Sequence, residues 1–183
     1  MRTLFVLALV GVSTGVAARD YAVLADKSSL AFTATYEGEG FEGRFTRFTP
    51  RVAIDDADPA NTKIEADIDM ASANTDNEER DETLGTAEFF DTARYAQAKF
   101  RTTSCHGPPP KFECDATLTI RDRTQPMSIA FTLADAPDGN ATLAADTIVR
   151  RSQFEVGTGD WTDTELIADE VAVRVRLVLK PGT

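Results

Sequence analysis

Apolar and polar residues alternate along most of this chain. Between residues 29 and 36, one parity carries Leu30, Phe32, Ala34 and Tyr36, and the other carries serine and threonine at three of its four positions. The same alternation recurs in segments 64–70, 112–120, 127–133 and 171–179. Side chains on a β-strand point alternately to opposite faces, so a period of two predicts half-buried antiparallel strands.

Turn-forming residues divide the alternating segments, and we count about eight strands. The first segment is short and is expected to merge with the second. The predicted strands lie near residues 22–25, 29–36, 43–55, 63–70, 99–104, 111–120, 125–133, 142–149 and 171–179. The polar stretch 74–87 has helix-compatible spacing and predicts one short helix near residues 76–86. Segment 151–167 is expected to be a long loop with one turn near 152–154.

The predicted fold is all-β, because every strand has one apolar face that needs a partner face. Two sheets can stack as a sandwich, or one sheet can close into a barrel and lose its exposed edges. An eight-stranded barrel can be filled by its own side chains or can hold a small ligand. The alternation fits all of these outcomes, and they stay open at this point.

The first 18 residues have the features of a secretory signal peptide. A positive start at Arg2 is followed by an apolar run over residues 4–12 and by small residues up to Ala18. This order predicts export and cleavage after Ala18, with residues 19–183 forming a single domain. The alternative is a buried N-terminal strand or helix. No second apolar stretch is long enough to span a bilayer, so the mature chain is expected to be soluble.

The chain is acidic, with 19 Lys+Arg against 30 Asp+Glu and a net charge of −11. Loss of the signal segment removes only Arg2 and makes the remainder one unit more negative. Such a surface disfavours nucleic acid and anionic membranes as partners. Solubility is the simplest role of this charge, and a stress-related scaffold that works through an acidic surface is an alternative.

The two cysteines, Cys105 and Cys114, flank a proline-rich segment. In an exported protein they are expected to form a disulfide, worth about 2–3 kcal/mol in the chain-entropy model. The alternatives are that the two cysteines bind zinc together with His106, or that they form a redox pair. Zinc needs further ligands, and the spacing differs from Cys-x-x-Cys. No metal site is predicted, because the acids at 55, 56 and 58 fit a solvated turn better than a calcium loop.

Catalytic chemistry has little support in the sequence. A Ser-His-Asp set would have to use His106, the single histidine, which lies beside a proline-rich turn. Phosphate-binding and dinucleotide-binding motifs are missing from the sequence. No catalytic residue is therefore proposed, although an enzyme that acts on an exported apolar substrate, such as a quinone or an amide, stays an alternative function.

Three motifs in order carry a family resemblance. Residues 72–84 follow the pattern S-x-N-T-x-N-x-x-R-D-x-x-L, residues 89–91 read F-F-D, and residues 118–121 read L-T-I-R. With the R-S-x-F segment at 151–154, these motifs make the chain resemble the YceI-like family over nearly all of its mature length. Three positions depart from the family pattern, namely Thr83, Ala96 and Glu155.

The resemblance implies a lipocalin-like antiparallel barrel of eight strands, exported to the periplasm, that binds a polyisoprenoid chain in its interior. The expected ligand is an isoprenoid quinone or another prenyl lipid, with no other cofactor, and the expected role is carrier or sequestering protein rather than enzyme. The oligomeric state is not predicted, and a homodimer stays open.

The candidate cavity residues are apolar and stand on the inward parity of the predicted strands or in the F-F-D motif. They are Phe32, Ala34, Tyr36, Phe45, Ile54, Ile68, Phe89, Phe90, Phe100, Leu118, Phe131 and Val173. The same side chains could instead fill the core without a void. The candidate polar rim residues are Asn74, Arg80, Asp81 and Arg151. For Arg80 and Asp81, the favoured interpretation is an ion pair that fixes the helix to the barrel rim.

Overall fold

The computed structural model describes residues 19–55, 57–107 and 109–182. The predicted signal segment and its cleavage site lie outside the described residues.

Eleven strand segments and one short α-helix make up the described fold. The strands are β1 (Arg19–Val23), β2 (Ser29–Tyr36), β3 (Glu39–Phe45), β4 (Phe48–Ile54), β5 (Lys63–Asp69), β6 (Ala73–Asn74), β7 (Gln97–His106), β8 (Lys111–Ile120), β9 (Arg123–Asp135), β10 (Ala141–Arg150) and β11 (Glu170–Pro181). The helix α1 spans Glu78–Gly85, and the short 3₁₀ turns are Ala25–Lys27, Pro59–Asn61, Met70–Ser72, Arg151–Phe154 and Gly159–Trp161.

The eleven segments form the eight walls of one closed antiparallel barrel. β1 and β2 both pair with β11, and they act as one interrupted strand, as the sequence predicted. In the same way β2 pairs with β3 while β1 pairs with β4, and β3 pairs with β6 while β4 pairs with β5. The remaining strands follow in chain order, and the pairing of β11 with β1 and β2 closes the circle. The barrel is therefore confirmed, and the sandwich is excluded.

The predicted strand over residues 43–55 is divided into β3 and β4 by a bend at Thr46 and Arg47. Ser72 holds this bend, because its carbonyl oxygen accepts from the Thr46 amide at 3.1 Å and its hydroxyl accepts from the Arg47 amide at 3.0 Å.

One end of the barrel is filled by packed side chains, and we call it the closed end. Its buried cluster includes Ile54, Phe112, Leu143 and Leu179, all at most 1% exposed. The predicted disulfide is present here: Cys105 and Cys114 are directly opposed on β7 and β8, and their sulfurs are bonded. The side chains of this cluster pack against one another and fill this end of the barrel.

The opposite end, which we call the mouth, is covered by α1, the segment 85–96 and the loop 151–169. The helix is confirmed and begins at residue 78, because the Asn77 side chain caps it by accepting from the Arg80 amide at 2.9 Å. The long loop is held to the rest of the cover, since the Gly157 and Thr158 amides donate to the carbonyl oxygen of Glu88 at 2.8 and 2.9 Å.

The barrel wall is incomplete between β9 and β10. These strands pair only where Thr132–Asp135 face Ala141–Ala144, at the closed end. Toward the mouth, β9 remains paired with β8 and β10 remains paired with β11, but the two strands no longer pair with each other.

Candidate ligand cavity

A cavity of about 490 Å³ occupies the mouth half of the barrel. Its walls are mostly aliphatic and aromatic side chains from the strands, and its cover is α1 and the loop 151–169. Sites for small apolar ligands have volumes of about 300–1,000 Å³ and this kind of lining. The interior is therefore hollow in this half and packed in the other.

The predicted cavity residues lie around this space with one exception. The residues that line it are Phe32, Ala34, Tyr36, Phe45, Ile68, Phe89, Phe90, Phe100, Leu118, Phe131 and Val173. Ile54 does not line it. It is 1% exposed and belongs to the closed-end cluster, because β4 runs from the cavity to that end and Ile54 is its last residue. Alternation identified its inward face correctly but not its position along the barrel axis.

Aromatic rings form much of the cavity wall. Phe32, Phe45 and Phe90 make a continuous series, with ring centres 5.5 and 6.1 Å apart. Phe100 and Phe131 meet edge to face at 6.3 Å on the other side. Rings in contact at these distances and in tilted or edge-to-face orientations attract each other and support each other's positions in the wall.

Gly43 provides the space that one of these rings needs. A methyl group on Gly43 would lie 2.2 Å from the tip of the Phe32 ring, which is closer than any real contact. The tip of the Phe32 ring therefore occupies the space beside the Gly43 backbone on β3 that a side chain would otherwise fill.

Trp161 lies at the mouth and was not identified from the sequence. Its indole N–H donates to the Glu88 carboxylate at 2.9 Å, and its ring lies 5.6 Å from Phe89 and 6.4 Å from Tyr36. It is the only tryptophan of the chain and lies in a polar loop. The sequence did contain a signal for this residue, because a large aromatic side chain in a loop is not explained by the alternation of a strand.

Arg80 lines the cavity at the mouth, but it does not form the predicted ion pair with Asp81. Its guanidinium lies 4.1 Å from the centre of the Phe41 ring, and among the described residues it pairs with no carboxylate. The cation–π contact places a hydrogen-bond donor beside an apolar opening. Asn77, Glu79 and Thr83 line the same region and add further polar groups.

Asp81 and Asn74 anchor the helix and do not line the cavity. The Asp81 carboxylate accepts from the amide and the hydroxyl of Thr75 at 2.8 and 2.7 Å, and from the Asn74 amide group at 3.3 Å. The predicted attachment of the helix to the rim therefore exists, but neutral donors on β6 and just after it replace the expected arginine.

Arg151 holds the loop that covers the mouth. Its side chain is 6% exposed and donates to five carbonyl oxygens of the loop, those of Val156, Gly157, Asp163, Ile167 and Ala168, at 2.8–3.2 Å. Burial lowers the pKa of this guanidinium below its ordinary value, against the opposing effect of the Asp169 and Asp163 carboxylates. Arg151 faces the cavity from beneath the loop rather than from an open rim.

The single histidine of the chain is not among the residues that line this cavity. His106 lies in the β7–β8 hairpin at the closed end, where its ring nitrogen is 3.6 Å from Glu113. Within residues 19–55, 57–107 and 109–182, no three histidine, cysteine or acidic side chains are grouped to hold a metal ion. In the same part of the chain, no helix is long and apolar enough to cross a membrane.

Comparison with known proteins agrees with this architecture. The YceI-like domain family matches residues 21–179. Protein YceI of Escherichia coli O157:H7 is 30% identical over 121 residues, which cover 63% of this chain and 63% of that protein. The chain thus matches less than two thirds of the length of this relative.

Two solved structures share the fold. Burkholderia cenocepacia BcnA is 28% identical, with a TM-score of 0.81 and coverage of 86% of this chain and 99% of BcnA. A polyisoprenoid binding domain from Saccharophagus degradans is 17% identical, with a TM-score of 0.69 and coverage of 91% of this chain and 99% of that domain. The second likeness concerns the fold alone.

Proposed function

The chain belongs to the YceI-like domain family, and on this premise we propose that it carries or sequesters an isoprenoid-type lipid in its barrel. The apolar tail would occupy the cavity, and the head group would meet the polar side chains of the mouth. We further propose that residues 1–18 direct export and are removed, and that residues 19–183 act as one domain in the periplasm.

The hollow apolar half of the barrel is the observation that carries this proposal. A core made only for stability would be packed throughout, as the closed end is. Each methylene group that moves from water into such a cavity contributes about 0.8 kcal/mol, which must exceed the cost of immobilising the ligand. A tail of several isoprene units offers enough apolar surface for this purpose.

The mouth favours a head group that accepts hydrogen bonds. Arg80 has donors beside the opening, and the carboxylate of Glu79 and the acidic surface disfavour a highly charged anion. A quinone carbonyl or a hydroxyl fits these conditions. The relative from Saccharophagus degradans, described as a polyisoprenoid binding domain, supports the same ligand class by its fold.

A substitution that fills the cavity with a larger side chain should abolish retention of the lipid. Ala34 lines the cavity from β2, and Ala34→Phe would place a ring in the space that the tail needs. Native mass spectrometry of gently purified protein should show a bound lipid in the wild type and none in this variant. The matched control is Ala22→Phe, which adds the same ring at an exposed position on β1.

Two results would contradict the proposal. The wild type could carry no lipid and fail to bind added prenyl quinones, or Ala34→Phe could retain the lipid as well as Ala22→Phe does. If added lipid is instead converted to a product during incubation, the protein is an enzyme rather than a carrier.

A further inference from the structure

A second space lies where the barrel wall is incomplete. We use the name side slit for the opening between residues 125–127 of β9 and residues 148–150 of β10. It has a volume of about 290 Å³, and Leu118, Gln153, Phe154 and Glu170 complete its lining. The opening exists because the β9–β10 ladder ends where Thr132 pairs with Ala144.

The side slit and the main cavity share part of their lining. The residues that line both spaces are Leu118, Met127, Val149 and Phe154. No backbone hydrogen bond joins β9 to β10 at this level, so a passage can open through side-chain rotation alone. Methionine is well suited to such a position, because its unbranched side chain takes many shapes at low cost.

A group of polar contacts lies between the side slit and the mouth. The Gln125 side chain donates to the carbonyl oxygen of Gln153 at 3.1 Å, Arg123 pairs with the Glu155 carboxylate, and Arg121 donates to the Glu155 carbonyl oxygen. These bonds connect the turn after β8 and the start of β9 to the segment that follows β10. The slit is therefore a separate opening in the wall rather than a widening of the mouth.

Two sequence features mark the slit as an unpaired edge. Pro126 has no N–H and is tolerated in β9 because this part of the strand has no partner on the slit side. Ile148 is 53% exposed, and among the described residues only it and Tyr36, at 40%, are large apolar side chains with such exposure. One of them lies at the slit and the other at the mouth, so each opening has an exposed apolar residue.

We propose that the side slit is a second opening through which the distal end of a long apolar tail leaves the cavity. This inference rests on the proposed function and extends it, because it makes the accepted tail length independent of the cavity volume. A short tail would be held entirely inside the barrel. A long tail would enter at the mouth, pass Met127 and Phe154, and lie along Ile148.

A crosslink across the slit tests this inference. The register of the paired part, continued toward the mouth, places Ser128 opposite Ile148, and both side chains face outward. Cysteines at S128C and I148C would be joined in the folded protein with a short bis-maleimide. The matched control is D115C with S128C, which joins two ladder partners of β8 and β9 and leaves the slit free. The native disulfide is buried and should not react.

Binding and release of a short-chain and a long-chain prenyl quinone would be followed by quenching of Trp161 fluorescence. We expect the slit crosslink to change the release rate or the affinity of the long-chain quinone by about tenfold, with no change for the short-chain quinone and none in the control. Ile148→Asp, which places a charge beside the slit at a residue that does not line the main cavity, should weaken binding of the long-chain quinone alone.

The outcomes separate the two proposals. If both quinones bind and neither the crosslink nor Ile148→Asp distinguishes them, the side slit is not a passage and the carrier function stands. If neither quinone binds to the unmodified protein, the proposed function fails and the inference fails with it.

Discussion

At the scale of single residues, the cavity depends on positions where a small residue makes room for a large one. Gly43 is the clearest case, because the Phe32 ring occupies the place of its missing side chain. The sequence shows this glycine only as one residue of an alternating strand. The contact joins two strands, so no local pattern reveals it.

Gly43→Ala should push Phe32 into the cavity. Since a methyl group would lie 2.2 Å from the ring, the ring must turn away, and we expect a loss of about 1–3 kcal/mol of unfolding free energy. Affinity for a prenyl quinone should fall as well, because the displaced ring fills part of the binding space. Denaturant unfolding and Trp161 fluorescence titration measure the two effects.

Gly40→Ala is the matched control for this substitution. Gly40 lies on the same strand, and a methyl group there has nothing within 4 Å. Equal losses of stability and affinity in both variants would show that the packing of Phe32 over Gly43 does not shape the cavity.

At the scale of elements, one buried cation organises the loop that covers the mouth. Arg151 binds carbonyl oxygens from the whole length of this loop, and Gly157 allows its close approach, since a methyl group there would lie 2.3 Å from the guanidinium. The loop is therefore an ordered cover, and Trp161 has a defined position within it. The R-S-x-F motif at 151–154 includes this arginine, but the sequence placed it among the candidate polar rim residues.

Arg151→Lys should loosen the cover even though the charge remains. An ammonium group has three donors at a single nitrogen and cannot reach five carbonyl oxygens, so we expect a loss of about 2–4 kcal/mol from unsatisfied buried acceptors. Hydrogen exchange should become faster over residues 156–168, and unfolding followed by Trp161 fluorescence should report the stability.

The neighbouring Arg150→Lys is the control. Arg150 pairs with Glu170 at the surface, where both side chains are more than half exposed, and such pairs contribute little. A result in which both lysine variants unfold alike would show that the five carbonyl contacts of Arg151 do not hold the loop.

At the scale of the whole molecule, the acidic surface is partly organised into ion pairs across the outside of the barrel. Asp67 on β5 accepts from Arg101 on β7 and from Arg51 on β4, and Asp146 on β10 accepts from Arg176 and Arg174 on β11. Hydrogen bonds from Arg101 and then from Arg51 hold the pKa of Asp67 below its ordinary 3.8. The bonds from Arg176 and then Arg174 lower the pKa of Asp146 in the same way.

These lowered pKa values predict a loss of stability in acid. A carboxyl whose pKa is lower in the folded state stabilises the fold fully above its unfolded pKa of about 3.9, and this contribution disappears as the pH falls through the folded pKa. The unfolding free energy should therefore be constant near neutral pH and decline below about pH 4. Asp67→Asn should lower it by about 1 kcal/mol at pH 7 and make the decline in acid shallower.

Denaturant unfolding at a series of pH values measures this effect. Asp135→Asn serves as the control, because Asp135 is exposed and forms no ion pair among the described residues. If Asp67→Asn follows the same pH profile as Asp135→Asn, the ladder across β4, β5 and β7 does not contribute to acid stability.

The sequence by itself determined the strands, their inward faces, the short helix and the disulfide between Cys105 and Cys114. These features depend on near neighbours, because alternation assigns each side chain to a face and turn residues divide the strands. The ordered motifs added the family, and with it the barrel and the expectation of a lipid ligand.

Only the tertiary structure decided where the inward residues lie along the barrel axis. Ile54 and Phe100 have the same inward parity, yet one is packed at the closed end and the other lines the cavity. The axial position depends on strand register and closure, which join residues far apart in sequence. The same holds for Trp161 at the mouth, for Arg80 over Phe41 and for the side slit between β9 and β10, since each arises where separate elements meet.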